Sequence, residues 1–163
     1  MFTGIVTDIG EAHALEPHGD LRRLRIACGY RAETIALGAS IACNGACLTV
    51  VAVESADGRT FFDVDAGAET LRLTTAGAWG VGTRINLERA LKMGDEIGGH
   101  LMSGHIVGTL AINHIDKKEN SYAFYFALPS AFKPYVLCKG YIGLNGCSLT
   151  IGEVGSDYFV VYL

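Results

Sequence analysis

The sequence predicts an all-β fold built from two similar small antiparallel barrels in tandem, and three observations predict it. Ile142-Gly143-Leu144-Asn145-Gly146-Cys147-Ser148-Leu149-Thr150-Ile151 has an earlier copy, Ile41-Ala42-Cys43-Asn44-Gly45-Ala46-Cys47-Leu48-Thr49-Val50, at an offset of 101 residues (Asn44 to Asn145). The same offset carries Met1, Ile5 and Val6 onto Met102, Ile106 and Val107. One offset joining separated blocks points to an internal duplication of about one domain's length. Each copy also places Asn-Gly between apolar runs, the strongest short hairpin signal, because a type I′ turn needs positive φ at both central residues. Finally, the chain has 21 glycines against 3 prolines and no long helical period, which suits short strands and turns rather than βαβ units.

The elements follow in order. Residues 1–9 read as a short apolar strand, with Gly4 marking either close approach of a ligand or backbone, or a bulge. Leu24, Ile26 and Cys28 alternate with Arg23 and Arg25 as a half-buried strand. Residues 41–53 form the first hairpin, with Cys47 and Thr49 on one face and Ala46, Leu48 and Val50 on the other. Residues 61–65 are a strand, 69–74 a short helix or turn, and 84–88 another strand. Pro129 heads a stretch to Lys139 in which Phe132, Tyr135 and Val136 have helical spacing. In the second hairpin Ser148 and Thr150 share a face. At the offset of 101, Leu163 corresponds to Phe62, so counterparts of the 69–74 turn and the 84–88 strand are missing and the second barrel is expected to be open at an apolar edge. The chain therefore reads as a truncation or as part of a longer protein.

Composition narrows the function. A formal net charge of −4 over 163 residues leaves no basic footprint for nucleic acid. No apolar run approaches the roughly 18 residues of a membrane span, and the start Met1-Phe2-Thr3-Gly4 lacks the basic and apolar regions of a signal peptide. Five cysteines, at 28, 43, 47, 138 and 147, are odd in number and sit in apolar runs, which favours reduced thiols and a cytoplasmic location.

Candidate chemistry gathers at the junction Gly94-Asp95-Glu96-Ile97-Gly98-Gly99-His100-Leu101-Met102-Ser103-Gly104-His105. His100 and His105 are not spaced as His-Glu-x-x-His and have no accompanying cysteine pair, so no metal is expected. Histidine suits proton transfer near neutral pH, and the flanking glycines let a flat ligand approach the backbone; a histidine capping a turn is the plainer alternative. Gly77-Ala78-Trp79-Gly80-Val81-Gly82 lacks the dinucleotide pattern, and there is no P-loop. Cys47 is either a nucleophile or, among apolar neighbours, an inert thiol.

Met1-Phe2-Thr3-Gly4-Ile5-Val6, Asn44-Gly45-Ala46-Cys47-Leu48-Thr49, Glu69-Thr70-Leu71-Arg72, the Asp95–His105 stretch and Asn145-Gly146-Cys147-Ser148-Leu149-Thr150 together resemble the riboflavin synthase family of the lumazine-dismutating type, over essentially the whole chain. The resemblance implies two tandem six-stranded Greek-key barrels, an N-terminal one over 1–98 and a C-terminal, incomplete one over 99–163. It also implies a C-terminal helix, absent here, that assembles a homotrimer. Each barrel would hold one 6,7-dimethyl-8-ribityllumazine, and a four-carbon unit would pass from one to the other, giving riboflavin. No cofactor or metal is implied; association with lumazine synthase is a further implied partnership. The family also has a non-catalytic relative of the same fold that binds lumazine or flavin, but here both hairpins keep polar residues.

Carried over by motif, Gly4, Ile5 and Val6, then Cys47, Leu48 and Thr49, then Asp63, Asp65, Ala66, Gly67, Ala68, Glu69 and Thr70 would line the first pocket. Gly104, His105, Ile106, Lys139, Ser148, Leu149 and Thr150 would line the second, and Ser40, Tyr162 and Leu163 complete the implied substrate-binding set. Catalysis is implied near Cys47 and Ser148, with His100 and His105 assisting. Asn145 stands where many members carry aspartate, and the turn before Glu69 looks longer than is usual. A chain ending at Leu163 is expected to associate weakly or not at all, and a tight trimer in sedimentation at that mass would contradict this.

Overall fold

The computed structural model describes residues 1–163. Its first half contains β1 (Asp8–His18), β2 (Leu21–Cys28), β3 (Ser40–Cys43), β4 (Ala46–Ala56), β5 (Arg59–Ala66), the short helix α1 (Ala68–Leu73) and β6 (Arg84–Arg89). These strands close a barrel in the order β1-β2-β5-β4-β3-β6. The second half contains β7 (Ile112–Lys117), β8 (Tyr122–Ala127), β9 (Tyr141–Leu144), β10 (Cys147–Val154) and β11 (Tyr158–Tyr162), in a sheet ordered β7-β8-β11-β10-β9. That order repeats β1-β2-β5-β4-β3, and the place that β6 fills in the barrel has no strand in the second sheet. No helix is long and apolar enough to cross a membrane.

The alternation of the strands decides what lies inside. Leu24, Ile26, Ile41, Leu48, Val50, Phe62, Val64, Ile85 and Leu87 fill the barrel, and Trp79 closes one end. Arg22 holds that closure by donating to the carbonyls of Ala76, Gly77 and Trp79. A smaller core of Leu128, Val136, Ile151, Phe159 and Val161 lies under the second sheet. Both Asn-Gly turns have the predicted left-handed pair, φ 49 and 88° at Asn44-Gly45 and 52 and 85° at Asn145-Gly146.

Four expectations are corrected. Residues 1–9 are not a strand: Phe2 forms only an isolated bridge to Met102, Gly4 is left-handed at φ 78°, and the first strand runs from Asp8 to His18. The helical spacing after Pro129 yields a single 3-10 turn at Lys133–Tyr135, because Pro134 lacks an amide donor and Val136 is already extended. The offset of 101 holds at the hairpins but not at the arms. The arm glycines, both at φ 78°, are Gly4 and Gly104, an offset of 100, so the chance alignment of Met1 with Met102 misplaces that block by one residue. Leu163 corresponds to Ala66 rather than Phe62: Ala66 pairs with Arg22, and Leu163 exchanges backbone hydrogen bonds with Tyr122. The turn between β10 and β11 is shorter than that between β4 and β5, so the second sheet lacks only the β6 counterpart among its strands.

The two halves meet about an approximate two-fold axis. Phe2 and Met102 exchange N–H···O bonds of 2.8 and 2.9 Å, and the hairpin tips touch. A Cβ on Gly45 would meet the Gly146 nitrogen at 2.9 Å, and one on Gly146 would meet the Gly45 nitrogen at 2.9 Å. Gly58 has a similar φ of +74° but nothing within 4 Å of a Cβ. Gly58→Ala is therefore expected to cost only its backbone strain, about 1 kcal/mol, whereas Gly45→Ala and Gly146→Ala should cost more by forcing the halves apart. Urea unfolding of the three variants checks the ranking.

Candidate active site

The hairpins turn their small polar residues outward, so the candidate site lies on the outer wall of each half and not in its filled interior. In the first hairpin Ile41, Cys43, Leu48 and Val50 point into the core, leaving Ser40, Ala42, Cys47 and Thr49 on the outer face, with Ser40 opposite Thr49 and Ala42 opposite Cys47. In the second, Ile142, Leu144, Leu149 and Ile151 point inward, and Tyr141, Gly143, Ser148 and Thr150 outward. The equivalent positions therefore differ in chemistry: thiol for hydroxyl at 47 and 148, hydroxyl for phenol at 40 and 141.

The first site is a groove of about 340 Å³ lined by Ala46, Cys47, Glu69, Thr70, Leu73, Thr74, Gly104, His105 and Ile106. The hairpin forms one wall, α1 another, and an arm from the second half the third. The Gly104 carbonyl accepts the Cys47 amide at 2.9 Å. Glu69 is bound along α1 by Arg72 at 2.8 and 2.7 Å, which holds its carboxyl below the usual range.

The second site mirrors this with the other arm. The Gly4 carbonyl accepts the Ser148 amide at 2.8 Å, and a Cβ on Gly4 would meet the Ser148 nitrogen at 2.5 Å. Here His100 joins in. Its Nδ1 lies 2.7 Å from the Ser148 hydroxyl, and its ring stacks on Tyr141 with centroids 4.4 Å apart. Partial burial pushes the His100 pKa below the ordinary histidine value. At neutral pH the imidazole is therefore uncharged, and with its proton on Nε2 it accepts the Ser148 hydroxyl through Nδ1.

The implied residues are thus partly regrouped. Gly4 and Ile5 belong beside Ser148, and Gly104, His105 and Ile106 beside Cys47, because the arms cross between the halves. Val6 lies half-buried on the way to β1. Leu48, Leu149 and Ala66 face cores or are fully buried, so they offer backbone alone. Asp65 is held by Arg23 at 2.9 and 2.8 Å, whereas Asp63 keeps one buried oxygen with no partner. Gly67 and Ala68 open α1. Lys139, left-handed at φ 64°, leads into β9. Tyr162 and Leu163 occupy the positions of Asp65 and Ala66, with the Tyr162 ring over Gly152. Sequence reasoning missed Ala46, Leu73, Thr74 and Tyr141. Tyr141 was findable, since it is Ser40 shifted by 101.

Two barrel-type halves, each presenting an outward hairpin clasped by the other's arm, define a tandem ligand-binding protein, and comparison with known proteins agrees. The model of the lumazine binding domain family matches twice, at residues 3–90 and 103–163. The chain belongs to the riboflavin synthase family. It is 47% identical over 166 residues to riboflavin synthase of Brucella abortus (strain 2308), spanning all of this chain and 81% of that protein. It is 39% identical over 165 residues to riboflavin synthase of Escherichia coli (strain K12), spanning all of this chain and 76% of that one. Among solved structures, LumP complexed with riboflavin superposes with a TM-score of 0.82 at 27% identity, covering 99% of this chain and 86% of that one. LumP complexed with 6,7-dimethyl-8-(1'-D-ribityl) lumazine gives 0.79 at 27% identity, covering 99% and 85%.

The His100 shift has a definite pH consequence. Its folded pKa lies below the ordinary histidine value of 6.5, so as pH falls through 6.5 the unfolded chain takes up the proton first and the fold loses stability. An NMR titration of the His100 ring should give a midpoint below 6.5, and a midpoint at or above it would contradict the partial desolvation of the ring.

Proposed function

We propose that this protein is a riboflavin synthase that binds two molecules of 6,7-dimethyl-8-ribityllumazine, one against each hairpin, and moves a four-carbon unit from one to the other. The products are riboflavin and 5-amino-6-ribitylamino-pyrimidinedione. Donor and acceptor are the same compound, so the atoms and electrons balance without an outside oxidant or reductant. The observation that carries the reading is the Ser148 hydroxyl 2.7 Å from the His100 Nδ1, at the position equivalent to Cys47 in the other half.

The protein's own residues have three tasks. The hairpins and arms hold the rings, and orientation of two bound reactants is a large source of rate. The 7-methyl group of one lumazine is acidic; His100 is placed to take up a proton through Ser148, and the Ser148 hydroxyl to donate to charge that builds on the ring. Cys47, Thr70 and Thr74 offer polar contacts at the first ring. The domain division at 98 and 99 and the homotrimer belong to the same proposal. Exposed apolar side chains at Leu101, Val107, Tyr135, Leu137 and Tyr141 support a covered second half.

A non-catalytic lumazine or flavin carrier is the second reading, favoured by the likeness to LumP. Incubation with the dimethyl-ribityllumazine separates the two: riboflavin absorbance and fluorescence should grow with time, and binding without riboflavin would establish the carrier. In the active assembly, Ser148→Ala should lower kcat by about a hundredfold, roughly 3 kcal/mol, with ligand affinity nearly unchanged. Cys47→Ser should keep substantial activity, since a contact role survives the exchange. A dead Cys47→Ser protein that binds lumazine normally would instead establish covalent catalysis.

A further inference from the structure

We propose that Glu88, a residue of the first barrel, is the positioning residue of the second site, its buried carboxylate holding the Thr3–Gly4 segment from which both His100 and Ser148 are suspended. The inference rests on the function proposed above. Glu88 lies on β6 opposite Ala42 and is only 5% exposed. Its Oε1 accepts the Thr3 amide at 2.6 Å and the Thr3 hydroxyl at 2.7 Å, and its Oε2 accepts the Gly4 amide at 2.9 Å. The two carbonyls of this dipeptide then face the second half. The Thr3 carbonyl accepts the His100 amide at 3.0 Å, and the Gly4 carbonyl accepts the Ser148 amide at 2.8 Å. The two residues hung in this way are the pair whose side chains meet at 2.7 Å.

The chemistry of the clamp suits a carboxylate alone. Two successive amides and a hydroxyl need an acceptor with two oxygens, and charge makes such hydrogen bonds shorter and about twice as strong as neutral ones. Glutamine would turn a donor toward an amide that is itself a donor, and aspartate would stop one methylene short. The fit is tight on the other side as well: a Cβ on Gly99 would meet the Thr3 carbonyl oxygen at 2.0 Å. Glu88 therefore bears on the second site, whose His100 and Ser148 amides the Thr3 and Gly4 carbonyls hold.

The test compares the wild-type chain with Glu88→Gln, Glu88→Ala and Thr3→Val, each verified as folded at the assay temperature. With a displacement of order 1 Å able to cost about a hundredfold, both Glu88 variants should lose about ten- to a hundredfold in kcat while KM for lumazine stays within about threefold. Thr3→Val, which removes one hydrogen bond, should lose about fivefold. A second readout needs no turnover. Amide hydrogen exchange at Ser148 and His100 should speed up by about tenfold or more in Glu88→Gln, while the Cys47 amide, held by Gly104, stays protected. Unchanged kcat, or a loss confined to KM, overturns the proposal. If the Glu88 variants fail to fold, Thr3→Val decides by the same criteria. If the wild-type chain makes no riboflavin, the function reading falls, and the exchange pattern alone tests Glu88: equal protection at Ser148, His100 and Cys47 in variant and wild type refutes it.

Discussion

The rest of the structure depends on a backbone exchange. Phe2 and Met102 pair with each other, and just beyond them the carbonyls of Gly4 and Gly104 each take the amide of a hairpin in the opposite half. An amide left unpaired in such a place costs about 1–3 kcal/mol, so neither half satisfies its own hairpin. Each groove is consequently built from both copies of the repeat: a wall from one and a clasp from the other. The bond is possible only because the arm residue has no side chain. A Cβ on Gly4 or on Gly104 would lie 2.5 Å from the residue it serves.

Much of this was legible in the sequence, and the remainder was hidden for physical reasons. The hairpins follow from Asn-Gly chemistry, a local property of two residues. The outward placement of Cys47, Thr49, Ser148 and Thr150 follows from period-two alternation. The equivalence of Cys47 with Ser148 follows from the hairpin offset. The crossing of the arms does not, because it is a tertiary choice with no local signature: Gly4 sits in sequence with the first half and in space with the second. Identity of letters was a poorer guide than backbone geometry, since Met1 matches Met102 by type while Phe2 matches Met102 by position. The sequence places the first strand too early, over 1–9, because Glu11-Ala12-His13-Ala14-Leu15-Glu16 has little intrinsic strand preference, and the pairing of β1 with β2 and β6 supplies what propensity does not. Glu88 alternates with Leu87 and Ile85 as one polar residue of a strand, and nothing in its neighbours announces three donors arriving from Thr3 and Gly4.

The two sites share a backbone and differ in what hangs on it. Around Cys47 the groove is closed by a helix and carries a thiol, two threonine hydroxyls and His105. Around Ser148 there is a hydroxyl already bonded to an uncharged imidazole, itself stacked on a phenol ring. In the proposed reaction between two copies of one compound, similar walls would accept the same ring twice, and dissimilar polar groups would let one ring lose a proton while the other receives carbon.

The near two-fold relation between the arms also says something about origins. Two copies that clasp each other through the same bridge are what a symmetric dimer of a single barrel becomes when its subunits are joined end to end. In such an ancestor one gene would have encoded both grooves, and any change at the position now held by Cys47 would have appeared at once at that of Ser148. Fusion removes that linkage. After it, thiol and hydroxyl, serine and tyrosine can be selected independently on a shared scaffold.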